Sequence, residues 1–142
     1  MILLDTDHIS DLQHPDSPQA AVLAARLQDS VDRDIVTTAV TMEEQMRGWV
    51  ALLNRHRGMR QQADCYEYLI DMVRFFNDWT LLGFDELSGT RFETLRHAGI
   101  RIGSSDLKIA CIALEHDALL LTCNRQDFEK VPGLRFEDWM QD

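Results

Sequence analysis

Positive charge is scarce in this chain. Its only lysines are Lys108 and Lys130, and Lys plus Arg total 14 against 24 Asp plus Glu, a formal net charge of −10. Such a chain is not built for unspecific capture of nucleic acid, because phosphate contacts need local positive charge, so any RNA or DNA must be met at a local basic patch or through bound cations. The cysteines are few and odd in number (Cys65, Cys111, Cys123) and form no CxxC. That excludes a disulfide framework and a cysteine zinc site, and the expectation is reduced core thiols in a cytoplasmic protein. The longest uncharged apolar stretches, such as Ala118 to Cys123, are too short to span a bilayer, and Met1 leads into Asp5 rather than a basic segment. Neither a membrane anchor nor a signal peptide is expected. There is no internal repeat, and only Pro15 to Pro18 has a loop-like composition. GxGxxG, GxxxxGK[ST] and GxSxG are all missing, which argues against dinucleotide folds, phosphate-binding loops and serine-hydrolase elbows.

The 142 residues are 45% hydrophobic, which suits one globular domain over 1–142. A chain of this length buries roughly 68–70% of its unfolded surface. Met1 to Leu4 is a short apolar run ending in a carboxylate, as a buried parallel strand would look. Ser17 and Pro18 open a helix through about Leu27. Ile35 to Val40 fits a second strand, and Thr41 the N-cap of a helix carrying Met42, Met46, Trp49 and Leu53, with a stop at Gly58. A longer helix follows, with Met59, Ala63, Tyr66, Ile70, Val73 and Phe76 on one stripe, expected in the core. Trp79 to Phe84 reads as a strand, Asp85 to His97 as a helix stopped near Gly99, Ser105 to His116 as another helix, Ala118 to Thr122 as a strand, and Leu134 to Phe136 as a short edge strand. Strands alternating with helical patterns predict an α/β fold with helices on both faces of a mainly parallel sheet.

In open α/β sheets, ligands bind beyond the carboxyl ends of the strands, and here those ends carry acids. Asp5 and Asp7 follow the first strand, Glu43 and Glu44 open the helix after the second, Asp106 follows Ser104 and Ser105, and Asn124 and Asp127 follow the strand at Leu119 to Thr122. Acids in first turns are favoured by the helix macrodipole alone, and Thr41-x-x-Glu44 also matches a capping box. Asp5 differs, because a carboxylate directly after a buried strand is costly without a counter-charge. Two carboxylates 4 Å apart repel by about 4 kcal/mol at an effective dielectric near 20, so a cluster needs a cation or must take up protons. No Lys or Arg lies within two residues of Asp5, and the nearest candidates, Arg47, Lys108 and Arg125, sit on helices. All-oxygen donors suit Mg²⁺ or Mn²⁺ rather than structural zinc. His8, the one histidine near this edge, reads as a partly buried helix residue.

Three blocks, Leu3 to Ser10 (LLDTDHIS), Thr41 to Gly48 (TMEEQMRG) and Ile102 to His116 (IGSSDLKIACIALEH) running on through Leu121 to Gly133 (LTCNRQDFEKVPG), resemble the PIN-domain ribonucleases, specifically VapC-type toxins of toxin–antitoxin pairs. The resemblance implies a three-layer α/β/α PIN-like domain with a four- to five-stranded sheet. It places Asp5, Glu44 and Asp106 on the family's metal-binding acidic positions, with Glu43 as the adjacent alternative to Glu44. The fourth position, often Asp, is Asn124 here, with Asp127 three residues on. It also implies an RNA substrate, a small antitoxin whose tail covers the acidic groove, and homodimerisation.

The expected activity is Mg²⁺- or Mn²⁺-dependent endoribonuclease chemistry. Asp5 and Asp106 would hold the ion, Glu44 would add a ligand or take the water's proton, Asn124 and Asp127 would orient a second ion or the water, and Thr6 would bond a carboxylate or phosphate. Arg55 and Arg57, with His56 and Arg60, are the basic cluster that could touch the RNA backbone, or else cations at a helix C-terminus. Two other functions compete. In a catalytically silent PIN-like interaction module, capping would explain every acid. A haloacid-dehalogenase-type phosphatase would use Asp5-x-Asp7 as its nucleophile motif and needs a lysine beside it.

Overall fold

A computed structural model describes residues 1–141. β1 (Ile2–Leu4) leads into α1 (Thr6–Leu12) and α2 (Pro18–Asp29). β2 (Ile35–Thr38) is followed by α3 (Ala39–Arg55) and α4 (Met59–Asn77), and β3 (Leu81–Leu82) by α5 (Glu86–His97) and α6 (Ser104–Glu115). β4 (Leu119–Leu121), α7 (Arg125–Phe128) and β5 (Phe136–Glu137) complete the chain. The strands form one sheet in the order β3-β2-β1-β4-β5, and every pairing is parallel.

Side chains alternate across a strand, and β1 uses both directions for burial. Leu3 packs with Val36, Leu107, Ile109, Ile112 and Leu120 on one face, under α5 and α6. Ile2 and Leu4 pack with Ile9, Leu23, Met72 and Phe76 on the other, under α1, α2 and α4. Leu3, Leu4, Leu120 and Leu121 are fully buried, each worth about 1.5–3 kcal/mol relative to exposure. This is the three-layer α/β/α arrangement the sequence predicts. Because all strands run the same way, Asp5, Thr38 and Thr122 emerge at one edge of the sheet.

Several boundaries differ from expectation. β2 stops at Thr38, not Val40, because Thr38 is the N-cap of α3: its Oγ1 accepts the Thr41 amide at 3.0 Å. Thr41 therefore lies inside the helix, and Glu44 sits in its second turn, where no capping box is possible. α3 ends at Arg55, and Gly58 serves instead as the N-cap of α4. α1 is an additional short helix, started by Asp5. The α4 stripe is phased otherwise than expected: Cys65, Met72 and Phe76 face inward, whereas Met59, Tyr66, Ile70 and Val73 are exposed. Cys123 is also exposed, because it lies just beyond β4 at the open sheet edge. Gly99, at φ +88°, ends α5 in the left-handed conformation glycine tolerates.

The Thr38 cap is testable. Thr38→Ala should lower stability by about 1–2 kcal/mol in urea unfolding, and an unchanged midpoint would mean the α3 amides find another partner.

Candidate active site

The turn from β1 into α1 fixes Asp5. Only 5% of the residue is exposed, and its carboxylate takes neutral donors on both oxygens. Oδ1 accepts the Thr6 amide at 2.7 Å and Oδ2 accepts the Thr122 hydroxyl at 2.7 Å. The same Thr122 oxygen lies 3.2 Å from Asp7 Oδ2, and it accepts the Asn124 amide at 3.1 Å. One hydroxyl thus ties the carboxyl ends of β1 and β4 together. Sequence reasoning did not single out Thr122; its position at the end of a buried strand, two residues before Asn124, was the available signal.

Asp7 is bound differently. It accepts the Cys123 amide at 2.8 Å and the His8 amide at 2.6 Å, and it faces His8 Nδ1 at 2.7 Å. His8 is fully buried. Its Nε2 accepts the Trp139 amide at 3.3 Å, which selects the Nδ1–H tautomer that donates to Asp7. Burial acts upward on the Asp7 carboxyl, but the His8 and Cys123 hydrogen bonds and the nearby His8 ring together hold it below the ordinary range. Asp7, His8 and Cys123 form the trio of candidate metal-binding groups whose ligand atoms all lie within 4.8 Å among the described residues. The Asp7 oxygens and both His8 ring nitrogens already have hydrogen-bond partners. Desolvation, then the Asp7, Asp138 and Asp5 carboxylates, push the Cys123 thiol up to about 12, so it is no thiolate ligand at neutral pH.

The second helix facing the pocket delivers Glu44. Its Oε1 accepts the Thr6 hydroxyl at 3.1 Å, and that hydroxyl also lies 3.2 Å from Thr41 Oγ1. Glu43 points elsewhere, forked onto Arg47 at 2.9 and 2.6 Å, so the geometry selects Glu44 of the two. On the far side, Asp106 occupies the first turn of α6, whose N-cap Gly103 offers no side-chain bond. The Asn124 amide nitrogen lies 3.2 Å from Asp106 Oδ2 and 3.1 Å from Asp127 Oδ2. Two carboxylates fix the orientation of that amide, since only its nitrogen side donates.

The carboxylates raise one another's pKa. Burial, then Asp7, and more weakly Asp106, push Asp5 up to about 7 despite its two hydrogen bonds. Burial and Asp106 lift Glu44, while burial, Asp127 and Asp7 lift Asp106. Among the described residues, no Lys or Arg nitrogen lies within 4.0 Å of the Asp5, Glu44 or Asp106 carboxylates. Both lysines are engaged elsewhere, Lys130 3.6 Å from Asp127 and Lys108 over the Phe84 ring, so no lysine stands beside Asp5 as a phosphatase nucleophile would need. Asp5, Glu44 and Asp106 do not bring one oxygen each to within 4.8 Å of one another, but hard oxygen donors at this edge with no Lys or Arg in contact, and Arg47 acting on Glu44 only at longer range, are the donor type a divalent cation takes.

Arg55 and Arg57 are not brought to this pocket. Both are exposed at the turn between α3 and α4, with Arg55 eleven residues beyond Glu44, about 16 Å along the helix axis.

No family model matches the chain. It is 29% identical over 140 residues to Ribonuclease VapC1 of Haemophilus influenzae strain R2866, covering 96% of each protein. Among solved structures it is similar to VapBC-1 from nontypeable Haemophilus influenzae, with a TM-score of 0.72, 25% identity and coverage of 99% of this chain and 100% of that one. VapBC2 of Rickettsia felis, bound to a DNA fragment from its promoter, shares the fold at a TM-score of 0.68 and 21% identity, covering 98% of this chain and 99% of that one. Over nearly its full length this chain is thus similar to VapC ribonucleases and shares its fold with VapBC toxin–antitoxin structures, with acidic residues at the carboxyl edge of its parallel sheet.

Proposed function

We propose that this protein is an endoribonuclease that hydrolyses RNA phosphodiester bonds with a divalent ion, Mg²⁺ or Mn²⁺, held by Asp5, Asp106 and Glu44. The observation that carries this reading is three buried or half-buried carboxylates at one edge of the sheet, each with its pKa raised and none with a Lys or Arg nitrogen within 4.0 Å among the described residues. When bound, the ion lowers the pKa of a water and polarises a phosphate oxygen. The protein's share is orientation and proton transfer. Thr6 and Thr122 fix Asp5, the Asn124 amide holds Asp106 beside Asp127, and Glu44, with its raised pKa, takes the proton of the attacking water. Capping alone, as in a silent interaction module, leaves Glu44 unexplained, since it lies outside the first turn of α3.

The family reading brings a small VapB-like antitoxin and a second copy of the chain as partners, in the cytoplasm. The exposed Met59, Tyr66, Ile70 and Val73 on α4 support an apolar interface, and the acidic pocket supports an Arg- or Lys-bearing antitoxin tail. No described helix is long and apolar enough to cross a membrane.

Cleavage of total RNA in Mn²⁺ tests the activity. Asp5→Ala should lower the rate at least about 100-fold, and EDTA should abolish it; undiminished cutting by either would overturn the assignment.

Charge crowding also sets the stability of the metal-free protein. A carboxyl group whose pKa is raised on folding favours the protonated folded state, so its contribution is complete below the usual value of 3.8 and is lost as pH rises through about 7. The lowered groups, Asp7, Asp32, Glu43 and Asp85, act oppositely, but only at more acidic pH. In EDTA the urea midpoint should therefore fall between pH 5 and pH 7, and Asp5→Asn should flatten most of that fall.

Asp106→Asn separates metal binding from helix capping. If Asp106 belongs to a repulsive cluster, the metal-free variant should be at least as stable as wild type and should lose the gain from added Mg²⁺ or Mn²⁺, about 2.7 kcal/mol at a hundredfold excess over Kd. A loss of a few tenths to about 1 kcal/mol, with no metal effect in either protein, would assign it to the helix dipole.

A further inference from the structure

Beside the carboxylate pocket lies a groove of about 600 Å³ whose walls include Val40, Glu43, Arg47, Phe84, Ser105 and Lys108. The same two helices build both: Glu43 adjoins Glu44 on α3, and Ser105 and Lys108 lie one residue before and two after Asp106 on α6. Its two cations are not equivalent. Arg47 is neutralised by its fork onto Glu43 and also reaches Ser105 Oγ at 3.4 Å. Lys108 has no ion-pair partner within 4.0 Å among the described residues, and its ammonium lies 5.8 Å from the Phe84 ring centre.

Phe84 sits on the loop between β3 and α5 and is 36% exposed, high for a ring of its size. It is propped by its neighbours, with the Lys108 ammonium over one face of the ring. Phe92 meets it edge-on, with centroids 6.3 Å apart and planes at 85°. Gly89 lies under the ring edge, where an added Cβ would come to 3.8 Å from Cε1. A propped, partly exposed aromatic ring with an ammonium over one face and no carboxylate within 4.0 Å of that ammonium offers the two chemical halves a nucleotide needs, a surface for a flat base and a charge for its phosphate.

We propose that Phe84 and Lys108 form a nucleotide subsite on the rim of the pocket, the ring stacking an unpaired base and the ammonium binding the adjoining phosphate. The proposal rests on the RNA-hydrolase reading and deepens it by naming the residues that position the strand. It also supplies the local positive charge that the overall −10 requires, closer to the carboxylates than Arg55 or Arg57.

The probe is a fluorescein-labelled single-stranded RNA decamer of mixed sequence. Its affinity is measured by anisotropy on the Asp106→Asn background, and its cleavage in Mn²⁺ with Asp106 intact. Phe84→Leu should weaken binding roughly 5- to 100-fold and Phe84→Tyr should restore it. Lys108→Met should reduce the slope of log affinity against log salt by about 0.7. In cleavage, Phe84→Leu and Lys108→Met should each raise KM while kcat stays within about twofold, which a merely structural defect would not produce. If wild type cleaves but neither variant moves KM or the salt slope, the subsite is wrong and the nuclease reading stands. If the RNA is bound with Phe84- and Lys108-dependent affinity yet never cut, the subsite stands and the nuclease reading falls. RNA neither bound nor cut would overturn both.

Discussion

The constraint on which the rest of the structure turns is the confinement of negative charge at the carboxyl edge of an all-parallel sheet. Parallel strands must end together, and the helices that follow them begin together, so whatever residues occupy those junctions are forced into one space. Here the junction residues are Asp5, Glu44, Asp106 and Asp127. All the hydrogen bonds they accept come from neutral donors, the Thr6 amide and hydroxyl, the Thr122 hydroxyl and the Asn124 amide, and the one ion-pair contact, Lys130 to Asp127, lies at the outer end of the row. A lysine or arginine in the same place would have cancelled the field. Neutral donors fix the geometry while leaving the net charge for something else to balance, a proton on Asp5 when the pocket is bare or a cation when one is bound.

Asp5 and Asp7 illustrate how two similar residues, two positions apart, come to opposite ends. Asp7 accepts two backbone amides and faces a buried imidazole, and the sum of these outweighs its desolvation. Asp5 is more deeply buried, has fewer donors, and faces Asp7 itself as its nearest repelling charge. The firmly satisfied carboxylate thereby destabilises the ionised form of the other. His8 is the hinge of this division. It joins α1 to Trp139 near the chain's end, so the segment after β5 is docked onto the same network that holds the pocket's rear wall.

The fold class, the layering and the set of acidic junction residues were legible because each rests on local pattern: apolar runs of strand length, helical spacing, and acids directly after strands. Phase within helices was less so. Thr38 and Thr41 are chemically identical caps three residues apart, and only the sheet register, which sends Thr38 to the edge and Thr41 into the buried first turn, decides between them. The α4 stripe fails for a related reason. Cys65, Leu69, Met72 and Phe76 form one apolar row, and Met59, Tyr66, Ile70 and Val73 another; composition cannot tell which one the sheet covers. Thr122 was invisible because its role is to bridge two strands whose adjacency is a tertiary fact. Arg55 and Arg57 looked suitable by charge alone, and helix length carries them away.

Net charge is a poor guide to how such a protein meets a polyanion. The −10 is spread over the whole surface, and beyond a Debye length of about 8 Å in physiological salt most of it is screened. What an approaching phosphate feels within that range is the balance between the pocket and its rim. The pocket alone repels it. Glu43 is already paired with Arg47, and Lys108, two residues from Asp106 on α6, has no ion-pair partner within 4.0 Å among the described residues. A divalent ion bound there would cancel most of the carboxylate charge and present its own open coordination positions to a phosphate oxygen, so the same crowding that penalises the metal-free fold is what would hold the ion. Stability given up in the bare protein and affinity gained in the loaded one are two expressions of a single electrostatic arrangement.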